Sequence, residues 1–163
     1  MSVPKRQPPK DDPEEVCAAA VRLLARREHS TSELTRKLKE RGFSNGLIEP
    51  GLERLREAGY LSDHRFAGSL ARHRTAQGYG GLRIHAELSQ HGLERTVIDA
   101  AIDDLDADWY EQAWVQMQRH FAQPPQTASE RARILRYLTQ RGFTAEVARA
   151  AVARWRESGH EPG

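Results

Sequence analysis

Histidine and cysteine are the side chains here best suited to holding a metal or attacking a carbonyl. The seven histidines are His29, His64, His73, His85, His91, His120 and His160. They show no H-x3-H pair and no Cys/His ligand spacing, so no metal site is expected. Cys17 is the sole cysteine and forms no intrachain disulfide. It falls on the apolar face of a helical pattern and reads as core rather than as a nucleophile. Asp103, Asp104, Asp106 and Asp108 form an acidic cluster. The cluster lacks the glycine and the long spacing of a calcium loop, and a solvated junction capping a helix at Trp109 accounts for it. Gly78-Tyr79-Gly80-Gly81 could offer backbone N–H groups to a phosphate, but no Lys-Ser/Thr follows, so it reads as a turn rather than a nucleotide loop. No set of polar residues converges for acid–base or nucleophilic work. Neither enzymatic activity nor a cofactor is expected.

The basic residues point elsewhere. Net charge is only +2, yet Lys and Arg together number 25. Most are arginine, the side chain best matched to phosphate and carboxylate. Arg22, Arg26 and Arg27 lie on a first helical segment, and Arg36, Lys37, Lys39 and Arg41 on a second. Arg131, Arg133, Arg136 and Arg141 crowd a helix near the C-terminal end. The stretch between, 61–108, is acidic on balance. The outer parts are therefore positive and the centre negative. Solvated helix faces would carry such residues too. The functional reading is a set of basic helices that meet a nucleic acid backbone or an acidic protein surface. Trp109, Trp114 and Trp155 fall on apolar faces and are assigned to the core rather than to base stacking.

What positions these residues is a repeat. Gly42, Gly92 and Gly142 stand at a constant spacing of fifty. Eight residues before each stand Leu34, Ile84 and Ile134, and four before stand Leu38, Leu88 and Leu138. One after come Phe43, Leu93 and Phe143, and five after come Leu47, Val97 and Val147. Ten after stand Leu52, Ile102 and Val152, and thirteen after stand Leu55, Leu105 and Trp155. Repeats of this period mean stacked supersecondary units.

The pair before each glycine shares one helical face, because positions i and i+4 stack. Glycine then ends that helix in a left-handed conformation, and a second helix follows, with Ser44 and Thr144 as N-caps. Ser30 to Glu33 and Thr127 to Glu130 both read as capping boxes. A further helix precedes each pair, presenting Cys17, Ala20, Val21 and Leu24 in the first unit. In the second it presents Phe66, Ala67 and Leu70, and in the third Tyr110, Ala113, Trp114, Met117 and Phe121. The fold class expected is all-α, with three tandem three-helix repeats in an elongated, curved array. Their ranges are 14–60, 61–106 and 107–157. Pro50 conflicts locally, so that helix either begins nearer Pro50 or bends there.

Residues 1–13, rich in proline, and 158–163 read as flexible tails. Met1 to Glu15 lacks the apolar core of a signal peptide, and the run Val16 to Val21 is too short to span a bilayer. A soluble, cytoplasmic, monomeric protein without a membrane partner is expected.

The pattern resembles the RecX family of recombinase regulators. The likeness covers about 16–156. It is carried by Ser32-Glu33-Leu34 through Lys37-Leu38 with Gly42-Phe43, and by Leu55 followed by Gly59-Tyr60-Leu61. It continues with Asp63, Arg65, Phe66 and Ala67, then Gly78, Gly80, Arg83-Ile84 and Glu87-Leu88. Gly92-Leu93, Ile98, Tyr137-Leu138 and Arg141-Gly142-Phe143 complete it. The chain departs where the family tends to have Asp-Asp, here Ser62-Asp63, and where it tends to have Pro, here Gly81. The resemblance implies a protein that binds RecA and the RecA–DNA filament. It implies restraint of ATP hydrolysis and strand exchange in recombination, DNA repair and the SOS response. It also implies a place in the filament groove, with weak, non-specific contact to single- or double-stranded DNA.

The rival is a helix-turn-helix or winged-helix transcription regulator, for which Ser30 to Leu61 alone would pass. A winged helix would need a β-hairpin next. Asp63 instead begins another helical pattern, and the unit then recurs.

Overall fold

The structure, a computed structural model, describes residues 12–159. Most of the two expected tails, 1–11 and 160–163, lies outside the described residues. Among the described residues all regular structure is α-helical. The first three helices are α1 (Pro13–Leu24), α2 (Thr31–Glu40) and α3 (Asn45–Glu57). The next three are α4 (Asp63–Ala76), α5 (Gly81–Gln90) and α6 (Arg95–Asp103). The last three are α7 (Trp109–His120), α8 (Ala128–Gln140) and α9 (Ala145–Ser158). No β-hairpin follows Leu61; the chain enters α4 instead, which removes the winged-helix alternative.

Local chemistry sets the helix ends. Asp12 caps α1 by accepting from the amide of Glu14, and Pro13 occupies the first turn. The helix thus takes in residue 13, the last of the expected tail. Proline fits there because its missing N–H would have no helical partner. The α2 and α8 ends are the predicted glycine stops. Gly42 and Gly142 have φ of 96° and 97°. The Phe43 and Phe143 amides reach back to the Leu38 and Leu138 carbonyls, closing Schellman motifs.

The caps divide in a way the sequence pattern does not reveal. Thr127 and Glu130 form the full reciprocal capping box. Ser30 accepts from the Glu33 amide, but the Glu33 carboxylate turns to Arg27 and Lys37 instead. Only half of that expected box exists. Thr144 caps α9, whereas Ser44 stands at the α3 N-cap without a side-chain bond. Pro50 lies inside a continuous α3 that begins at Asn45. Gly46 and Pro50 are both exposed, so water can satisfy the carbonyl that proline deprives of a donor.

The described residues divide into two compact units. One runs up to Ser69 and includes His91–Leu93; the other holds Leu70–Gln90 and everything from Glu94 on. In the first, Val16, Leu23, Leu34, Leu38, Ile48 and Leu52 lead a core shared by α1, α2 and α3. In the second, Met117, Ile134, Leu138, Phe143, Val152 and Trp155 centre the packing of α7, α8 and α9. The buried face of α1 is Val16, Ala19, Ala20 and Leu23, one position round from the expected stripe. Cys17 is accordingly half-buried and packs at the edge of the core rather than within it, its thiol 3.6 Å from the Gly51 carbonyl. Tyr110 was expected on the core face of α7 but is exposed. Trp155 is buried, while Trp109 and Trp114 pack at the edge of the core.

Candidate partner-binding surfaces

In the first unit the basic residues fall into two kinds. Arg27, Glu33, His29 and Lys37 form one compact group at the start of α2. The Arg27 guanidinium meets Glu33 Oε1 at 2.5 Å, and Lys37 Nζ lies 3.2 Å from the same oxygen. Lys37 also lies 3.1 Å from His29 Nε2, while His29 Nδ1 faces the Arg27 carbonyl at 2.9 Å. With Lys37 donating, the ring is neutral and carries its proton on Nδ1. Burial pushes the His29 pKa down. Hydrogen bonding from Arg27 holds the Glu33 carboxyl well below its ordinary value, at about 2. Arg36 pairs with Glu40 at 2.9 Å, both side chains well exposed. Arg22, Arg26, Lys39 and Arg41 are exposed and make no ion pair among the described residues.

In the second unit α8 repeats this division. Arg133 and Arg136 are exposed, with the Arg133 guanidinium 5.8 Å from the Phe121 ring centroid. Arg141 is committed to structure. It donates to the Gln77 carbonyl at 2.5 Å and stacks 4.1 Å from the Tyr79 ring centroid. Arg83 covers Tyr79 as well, at 4.2 Å. The Gly-rich turn thus spends its backbone on the α8–α9 junction. Gly80 N–H donates to the Arg141 carbonyl, and Leu82 N–H to that of Gly142. The phosphate-cradle alternative for this loop loses the Gly80 and Leu82 amides to those bonds. Asp108 caps α7 by accepting from the Glu111 amide, which accounts for the end of the acidic cluster as expected.

Arg131 belongs to a feature that charge counting along α8 missed. It rims a shallow groove of about 320 Å³ together with Arg149 and Arg156 of α9. Half-buried Leu135 and buried Val152 also line the groove. The seven-residue spacing of Arg149 and Arg156 puts both on one helical face, and that was the signal available in the sequence. Among the described residues no group of three or more His, Cys, Asp or Glu could hold a metal. No described helix is long and apolar enough to cross a membrane.

Three-helix units that present exposed arginine on helix faces define the class as an all-helical protein of tandem three-helix domains. Comparison with known proteins identifies which kind. Models for the first, second and third three-helix domains of RecX match residues 18–55, 62–102 and 106–152 respectively. A regulatory protein RecX of Pseudomonas putida (strain GB-1) is 46% identical over 138 residues, covering 84% of this chain and 88% of the relative. One of Pseudomonas entomophila is 47% identical over 141 residues, with 84% and 89% covered. One of Halorhodospira halophila is 45% identical, with 86% and 88% covered. The crystal structure of RecX from Lactobacillus salivarius shares the fold, with a TM-score of 0.78 at 18% identity over 90% of this chain and 98% of that one. The chain belongs to the RecX family, a family of regulatory proteins rather than enzymes.

Proposed function

We propose that this protein regulates the RecA recombinase by binding RecA and the RecA–DNA filament. It mainly inhibits ATP hydrolysis and strand exchange, and so acts in homologous recombination, DNA repair and the SOS response. The observation that carries this reading is the ordered match of all three RecX domains along residues 18–152. No bond need be made or broken by the protein. A ligand that binds one filament state better than another shifts the filament by that difference in affinity alone.

The contact residues proposed are Arg22, Arg26, Arg27, Arg36, Lys37, Lys39 and Arg41 in the first unit, and Arg131, Arg133, Arg136 and Arg141 in the second. Exposed arginines without an intramolecular partner can meet phosphate or carboxylate without first breaking a bond. Arg22, Arg26, Arg41 and Arg136 are of this kind, and Lys39 is likewise exposed and without an ion pair among the described residues. Arg27, Lys37 and Arg141 hold intramolecular partners and would have to exchange them. Contact with DNA is read as weak and non-specific, and the protein as a cytoplasmic monomer.

The test is RecA-dependent ATP hydrolysis on single-stranded DNA, with and without this protein. Inhibition at stoichiometric amounts is expected. An unchanged rate would end the regulatory reading, and sequence-specific duplex binding in the same preparation would move the protein to the class of transcription regulators.

A further inference from the structure

The second unit also holds a cavity that shares no lining residue with the groove of Arg131, Arg149 and Arg156. It is a cleft of about 510 Å³ bounded by α5, α6, α7 and the start of α9. Leu82, Ile102, Trp109, Phe143 and Val147 give it an apolar floor. Leu82 is 58% exposed, and Ile102 and Trp109 are only partly covered. Leu82, Ile102 and Trp109 thus leave apolar surface open to water over the buried Phe143 and Val147. The rim is acidic. Asp99 and Asp103 line it, and the other titratable lining group is His85, 3.5 Å from Asp99. Arg95 reaches Asp99 from outside the lining at 3.6 Å, with its side chain 87% exposed. Asp103 has no ion pair among the described residues.

We propose that this cleft is a protein-docking site that takes an apolar side chain borne on a basic segment of the partner. The inference deepens the regulatory reading and rests on its premise that the chain works by binding a protein. Two arguments select the occupant. Carboxylates at the rim repel phosphate, so nucleic acid is disfavoured where the arginine faces would favour it. An apolar floor under an acidic rim complements a Leu, Ile or Phe anchor flanked by Lys or Arg, with the anchor supplying affinity and the charges register. The molecule thereby separates its contacts, with the arginine faces for anions and the acidic cleft for a basic protein segment.

The test uses the full chain and a fluorescent helical peptide of about twelve residues, carrying Leu and Phe at i and i+4 among Lys and Arg. Anisotropy reads affinity, and amide shifts at Leu82, Ile102 and Val147 read location. Leu82→Glu and the double variant Asp99→Lys/Asp103→Lys are each expected to weaken peptide binding at least tenfold. Their melting curves should match the parent, because all three side chains are exposed. A control peptide with Glu for Lys and Arg is expected not to bind. Failure of the parent chain to bind the basic peptide, or equal affinity in Leu82→Glu, overturns the proposal. The same variants are then titrated against RecA filaments on single-stranded DNA, where at least a tenfold loss is expected. Loss of peptide binding with undiminished filament affinity would overturn the cleft as a docking site for the recombinase. A cleft that binds peptide in a parent protein that ignores the filament would uphold the site and instead overturn the recombinase reading.

Discussion

Asp63 holds the start of α2 from the start of α4. Its Oδ1 accepts from the Thr31 backbone amide at 2.8 Å and its Oδ2 from the Thr31 hydroxyl at 3.1 Å. One carboxylate therefore satisfies an N-terminal amide of a helix that lies 32 residues earlier in the chain. The departure from the family's Asp-Asp pair finds its place here. Ser62 Oγ accepts from the Arg65 amide, a capping task that serine performs about as well as aspartate, while the position that remains Asp makes the longer reach. Asp63→Ala is expected to destabilise the protein by about 1–3 kcal/mol, since it leaves part-buried donors without an acceptor. Ser62→Asp should lie within about 0.5 kcal/mol of the parent. Urea unfolding monitored by circular dichroism checks both; equal midpoints for Asp63→Ala and the parent would show that water replaces the carboxylate.

Glu33 makes stability depend on acid. Its folded pKa is about 2, against an ordinary value of 4.5, and its side chain is 12% exposed. A depressed carboxyl pKa means that the unfolded chain takes up its proton first. The stabilisation is full above pH 4.5 and is lost as pH falls toward 2. His29 works in the same direction at higher pH. Its folded pKa lies below the ordinary 6.5, so stability already starts to fall as pH drops below that value. Glu33→Gln is expected to lose roughly 1–2 kcal/mol at pH 7, allowing for the exposure of Arg27, and to flatten the decline between pH 4.5 and 2. Thermal melts across pH 2–7 read this directly. A parallel acid decline in variant and parent would assign the dependence to other groups.

Gly80 and Gly142 pack backbone on backbone. A Cβ on Gly80 would fall on the carbonyl of Gly142, and one on Gly142 would fall on Arg83 in a residue that already needs φ of 97°. Gly80→Ala must separate the two segments and stretch both amide–carbonyl bonds between them. A loss of about 1–3 kcal/mol is expected. Gly46→Ala is the control, because nothing lies within 4 Å of a Cβ there and the residue sits in the first turn of α3. It should be neutral or stabilising by up to about 1 kcal/mol. Similar urea midpoints for the two alanine variants would show that the turn yields without cost.

The repeat was legible because its strongest signals are local. The positions eight and four before each glycine are all buried, and the glycines at the ends of α2 and α8 close the predicted stops. In the following helix Leu52, Leu55, Val147, Val152 and Trp155 are buried as expected, and the difference lies at the position five after the glycine in the first two units. The most buried early position of that helix is Ile48, Ile98 and Ala148, while Leu47 and Val97 are only half-covered. Ile48, Leu52 and Leu55 follow i, i+4, i+7, which Leu47 does not, so the helical period held the answer. In α1 it did not, since Val16-Ala20-Leu23 and Cys17-Ala20-Leu24 fit one stripe equally well and only the neighbouring helices choose. Local pairs such as Arg36 with Glu40 follow from i, i+4 spacing. The fate of Arg141 does not, because the carbonyls of Gln77 and Gly78 that hold it lie more than sixty residues away.

That last difference makes a prediction within α8. Arg133 and Arg136 are exposed and Arg136 has no ion pair among the described residues, whereas Arg141 is bound to the Gly-rich turn. If the face of α8 meets phosphate, Arg133→Glu/Arg136→Glu should weaken filament or DNA binding and leave the melting temperature near that of the parent. Each phosphate contact removed should lower the slope of log affinity against log salt by about 0.9, so the pair should lower it by roughly 2. Arg141→Glu should do the reverse. It breaks the hold on the Gln77 carbonyl and loses the stacking on Tyr79, so its main effect should be on stability. Affinity measured from about 50 to 200 mM salt, beside melting curves for all three proteins, separates the two roles. An unchanged slope in the double variant would show that Arg133 and Arg136 are plain solvated surface, and would turn the search for anion contacts to the groove of Arg131, Arg149 and Arg156.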